Sequence, residues 1–130
     1  MAMSDFLEAE ILDHILNGLT YTAPASVYVA LFTAAPSDSG GGTEVSGGSY
    51  ARVQVTAGFS TDDTDTRFSN DANVTFPQAS ASWGTVTHFG LFDASSGGNL
   101  LFHGALTASQ AVGDNDQVQF PADGLGVTIA

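Results

Sequence analysis

The 130-residue sequence contains no cysteine. That excludes a disulfide framework, a thiolate metal site and a cysteine nucleophile, and it leaves the redox compartment open. Lysine is absent too. Arg52 and Arg67 are the sole strong cations against fourteen acidic residues, for a formal net charge of −12. Binding a polyphosphate or an anionic lipid surface relies on cationic side chains, so neither nucleic acid nor membrane is expected as a partner. The acidity suits solubility or salty surroundings, or a surface exposed on a particle or facing a cationic partner. No apolar run approaches the length that crosses a bilayer. The N-terminal stretch MAMSDFLEAEILDHILNG has neither a basic leader nor a long apolar core, so a mature, soluble sequence is expected.

Reactive motifs are missing as well. There is no G-x-S-x-G elbow, and the clusters Gly40-Gly41-Gly42 and Gly47-Gly48 match neither a Walker loop nor a dinucleotide fingerprint. No lysine and no helical pattern follow them, so Thr33 to Ser49 reads as a flexible surface arm. The carboxylates lie in polar loops, where nothing predicts the burial that would raise one pKa and create an acid/base couple. No catalytic residue, cofactor or metal ligand is assigned, and an enzyme is not expected. Nor is there an internal repeat, a heptad array or a collagen-like period to build a shaft.

What is present fits one domain, 1–130, with a core of moderate size. Asp5 is positioned to cap a helix with Glu8 three residues on. Leu7, Ile11, Leu12, Ile15 and Leu16 then recur on one stripe until Asn17-Gly18 stops it, predicting a helix over 5–17. So short a helix is marginal until its stripe is buried, on its own sheet or on a neighbouring subunit. These five residues are the candidate interface.

A β-domain is expected over 24–130, with long loops at 33–49 and 57–73. Val27 to Phe32 is a continuous apolar run, read as a buried strand. Tyr50 to Thr56 alternates, with Ala51, Val53 and Val55 inward and Arg52, Gln54 and Thr56 outward. The centre is a hairpin, Thr85 to Asp93 and Asn99 to Thr107 around the loop Ala94-Ser95-Ser96-Gly97-Gly98. Pairing Asp93 with Asn99 sets Phe92 opposite Leu100 and Gly90 opposite Phe102, leaving both faces apolar and the ribbon between covering layers. Short strands at Val74 to Phe76, Gln117 to Phe120 and Gly126 to Ile129 complete the set. A mainly β fold follows, a small antiparallel β-sandwich or flattened barrel with one N-terminal α-helix.

Two features invite a metal. In the register above His88 and His103 point to opposite faces and cannot share an ion, although a one-residue slip would bring them together; His14 lies apart on the helix. The loop carrying Asp62, Asp63, Asp65 and Asp71 lacks the Asp/Asn ladder, glycine and closing glutamate of an EF-hand, and reads as solvated.

The blocks LxxxILDHILNGLTYTAPASVYVALFTAAP, GGSYARVQV and VTFPQASASWGTVTHFGLFDASSGGNLLFHGALT resemble a family of small tailed-bacteriophage virion proteins, whose members are labelled tail fibre or minor structural protein. The likeness runs along nearly the whole chain and departs at Thr56 to Asn73. It implies a non-enzymatic component of the virion, made in the bacterial host cytoplasm, and identifies no catalytic residue. Because a fibre subunit usually needs a shaft, the expected role is a capsid decoration or cement protein bound to the major capsid protein on the outer surface. Such a protein works as a homo-oligomer, a trimer by the symmetry of such sites. A tail fibre or baseplate-associated component is the alternative, and a carbohydrate- or calcium-dependent host-adsorption module the third.

Overall fold

The computed structural model describes residues 1–61 and 66–129. In chain order the elements are β1 (Ala2–Met3), α1 (Asp5–Leu16), β2 (Tyr28–Ala34), β3 (Thr43–Glu44), β4 (Val53–Gln54), β5 (Phe59–Thr61) and β6 (Arg67–Asn70). They are followed by β7 (Val74–Thr75), β8 (Gly84–Phe92), β9 (Leu100–Val112), β10 (Gln119–Phe120) and β11 (Gly126–Thr128). The main sheet runs β1-β9-β8-β2-β3, with β4 also on β2, and all its pairings are antiparallel. Two smaller sheets, β10-β7 and β11-β6-β5, complete a mainly β, sandwich-like fold that does not close into a barrel.

The β8–β9 hairpin forms as the pattern predicts, and its loop is closed by Asp93 and Asn99. The Asn99 N–H donates to Asp93 Oδ1 at 2.7 Å and its amide to Oδ2 at 3.0 Å. The register departs from the expected one after a single pair. Phe92 faces Leu100, but Leu91 then faces Phe102 and Gly90 faces His103, because Leu101 is an extra residue. Its carbonyl and that of Leu100 are engaged by the Ser4 N–H and hydroxyl, and its side chain is buried, so the bulge has partners that a hairpin rule does not contain. A second, wider irregularity lies between Val86 and His88, and β9 extends to Val112, five residues past the expected end.

One face of the sheet carries Val29, Leu31, Val86, Phe89 and Leu91 into a cluster with Val74, Phe76, Trp83 and Leu125. Tyr50 meets Trp83 edge-on, with ring centroids 5.4 Å apart, and Phe120 lies edge-on to both Phe76 and Phe89. Each large apolar side chain removed from water here contributes about 1.5–3 kcal/mol. The opposite face presents Phe32 and Phe92, stacked at 6.2 Å, and it is covered by α1, the 36–42 loop and Arg52. The half of the central ribbon nearest its loop is therefore enclosed on both sides, whereas Gly84 and Thr85 of β8 and residues 107–111 of β9 are exposed. Gly90 is part of that packing: a Cβ there would come within 3.0 Å of the Leu100 and Phe32 side chains.

Four expectations need correction. The helix cap is Ser4, whose hydroxyl accepts from the Leu7 N–H at 3.2 Å, and Asp5 is the first helical residue. The 33–49 arm is partly ordered into the sheet, since β3 pairs with β2 and Val45 is buried. The 57–73 stretch contains β5 and β6, which form a sheet with β11 from the far end of the chain. Buried Asn70 locks that arrangement by accepting from the Leu125 N–H and donating to the Pro121 and Ala72 carbonyls. Arg52, expected outward, turns its side chain inward, where it is 7% exposed. Asp62, Asp63 and Asp65 lie outside the described residues, and Asp71 accepts a hydrogen bond from Ser60.

Candidate interaction surface

Within α1 the predicted stripe divides. Leu7 is buried against the chain's own sheet and Ile11 is half-buried, whereas Leu12, Ile15 and Leu16 are 56%, 69% and 72% exposed. Leu19, not among the expected residues, extends the row at 57% exposed. It lies beyond the helix, but its N–H donates to the Asp13 carbonyl, as does that of Asn17, and His14 Nδ1 lies 2.9 Å from its carbonyl oxygen. Gly18 in a left-handed conformation makes this wrap possible. Leu12, Ile15 and Leu16 follow the i, i+3, i+4 spacing of an apolar helical stripe with nothing over it, and Leu19, past the left-handed Gly18, adds a further exposed apolar side chain at the helix end. Helical periodicity does not find Leu19, because the helix ends before it; the signal is an apolar residue directly after the glycine that terminates the helix.

The polar groups nearby are engaged. Arg52 binds Glu44 through two parallel bonds at 2.9 and 2.8 Å, donates to the carbonyls of Ala94 and Gly97, and stacks 3.7 Å over the Phe92 ring. The Tyr50 hydroxyl accepts from the Leu31 N–H and donates to Glu44. Burial acts to raise the Glu44 pKa, but the Arg52 and Tyr50 hydrogen bonds and the guanidinium charge overcome it and hold the carboxyl below its usual range. Burial, with the Glu44 carboxylate adding to it, pushes the Tyr50 hydroxyl far up. A depression of about 590 Å³ beside this network is lined by the paired Arg52 and Glu44, by Asp38, which His103 meets, and by Asp5. Arg67 is held by Asp123, whose pKa is lowered by the Ser69 hydrogen bond and then by Arg67.

The altered hairpin register puts His88 and His103 on the same face, contrary to the expected pairing. They turn to different partners: His103 Nε2 lies 2.8 Å from Asp38 Oδ1, and His88 Nδ1 lies 2.8 Å from the Thr87 hydroxyl. Among the described residues no three His, Asp or Glu side chains gather as a metal site, and no helix is long and apolar enough to cross a membrane.

The fold and its surface define a small acidic β-sandwich whose buried polar side chains, among the described residues, all have partners and whose helix leaves an apolar row uncovered. The chain belongs to the family described as podophage GP4 fiber I protein gp80, whose model matches residues 2–128. It is thereby a bacteriophage virion structural protein of a fiber family. No curated protein matches it.

Proposed function

We propose that this chain is a non-enzymatic fiber component of the virion. In this reading it is held to a neighbouring virion protein by the aliphatic row Leu12, Ile15, Leu16 and Leu19. The observation that carries the proposal is the uncovered row itself, because an apolar stripe of this spacing on a short helix is completed only by a partner. The family description supports fiber over capsid cement. A compact sandwich without a shaft then serves as a terminal or connecting module.

Copy number separates the two placements. Quantitative mass spectrometry of purified virions is expected to give a number set by tail symmetry, on the order of a dozen or fewer. Hundreds of copies would return the chain to the outer capsid as a cement protein, with the major capsid protein as its partner. The host-adsorption reading makes a separate demand: the isolated protein would bind host cells, and a chelator or a competing sugar would release it.

A further inference from the structure

The uncovered face of α1 is not uniform. Leu12, Ile15 and Leu16 occupy its C-terminal half, with Leu19 beyond the end. One turn before Leu12 the same face carries Glu8, and a further turn back Asp5, while Asp13 stands beside the row, three residues before Leu16. All three acids are exposed. Among the described residues no hydrogen bond or ion pair engages the carboxylates of Asp5 and Glu8, and Asp13 Oδ1 accepts from the Asn17 amide at 2.8 Å. Asp5 and Glu8 also suit the positive end of the helix dipole; Asp13, in the last turn, does not.

Any body that covers the row brings Glu8 and Asp13 to the rim of the contact, where they lose water. The chain has no strong cation to set against them: it contains no lysine, Arg52 is engaged by Glu44 and Arg67 by Asp123. The compensating charge therefore comes from the other side. We propose that the row is received by a different protein of the virion, whose apolar groove carries lysine or arginine on its rim opposite Glu8 and Asp13. The mode is a helix seated in a groove, anchored by its aliphatic side chains. Because Asp5 and Glu8 precede the row, the seating has a direction, with the partner's cations toward the N-terminal end of the helix and its apolar floor under Ile15 and Leu16. A second copy of this chain, at a net charge of −12, lacks those cations and is repelled. A basic partner is instead steered in by the same field. This inference rests on the reading of the row as the anchor and specifies the chemistry of what receives it.

Competition during assembly tests it. Wild type and a variant are co-expressed in cells infected with a phage lacking this protein, and mass spectrometry compares their ratio in purified particles with that in the soluble lysate. Glu8→Gln is expected to be depleted from particles about 2- to 5-fold, the loss of one rim ion pair. Glu8→Lys, which sets like charges face to face, should be depleted tenfold or more, on the order of magnitude that a mismatched charge costs at an interface. Asp114→Lys makes the same change of charge on an exposed turn, at the far end of β9 from the residues that Ser4 meets, and should enter at parity. Where Glu8→Lys lowers the melting temperature, Asp13→Lys, which the helix dipole favours, takes its place. Entry of Glu8→Lys at parity overturns the inference, and so does equal depletion of Asp114→Lys, since overall charge would then be what the particle reads. Exclusion of Ile15→Asp together with entry of Glu8→Lys at parity would leave the anchoring role standing and remove this one. Entry of Ile15→Asp at parity removes both.

Discussion

Arg52 and its neighbour Tyr50 show how two side chains tie four segments of this chain together. Arg52 joins Glu44 of β3 to the carbonyls of the hairpin loop, while Tyr50 links the same carboxylate to the backbone of β2. Glu44 is held ionised below the usual carboxylate range, so its contribution is complete above the unfolded value, about pH 4.3 for glutamate, and is lost as pH falls through the lower folded value. Glu44→Gln is therefore expected to cost about 1–2 kcal/mol at neutral pH, discounted from a fully buried pair because the Glu44 side chain is 27% exposed. The gap to wild type should narrow as the solution is acidified. Urea unfolding of both proteins across a pH series checks this, and a gap independent of pH would contradict it. Period-two alternation placed Arg52 outward, because that rule counts only burial of apolar groups. It has no term for a guanidinium that finds a carboxylate, two carbonyls and a ring face in one place.

At the level of elements, local signals carried the helix, the β2 run, the hairpin and its loop. What they missed depends on residues distant in sequence. The bulge at Leu101 arises where β1 and Ser4 reach across from the start of the chain, and β6 is a strand because β11 pairs with it. The polar Arg67-Phe68-Ser69-Asn70 run carries no apolar periodicity to announce that pairing. The hairpin loop, in contrast, is specified by its own chemistry. Gly98 has φ of +71°, and a Cβ there would lie 2.5 Å from Asp93 Oδ1 and 2.6 Å from the Ala94 Cβ. Gly98→Ala should destabilise the fold by about 1–2 kcal/mol from the left-handed backbone alone, with the Asp93 overlap adding to it. Thermal unfolding of the variant measures this, and an unchanged melting temperature would show that the loop relaxes freely.

For the whole molecule, an acidic surface surrounds a core whose polar groups are paired, and an apolar row on α1 stays exposed. Among the described residues no buried side-chain polar atom lacks a partner, and both arginines are spent internally. The aliphatic row was legible as periodicity from Leu7 to Leu16, but which residues it spends on its own core was not, because a stripe's pattern is the same whichever body covers it. The fold assigns Leu7 inward and leaves Leu12, Ile15 and Leu16 free, joined by Leu19. Membership in a podophage fiber family gives that row a setting in which neighbours are always present. The central claim is that the row anchors the chain in the virion. It is tested most directly by complementing a phage lacking this protein with an Ile15→Asp, Leu16→Asp variant and measuring how much of it purified particles contain. The account predicts a protein that folds and melts as wild type does yet is absent from the particles; incorporation at the wild-type level would contradict it.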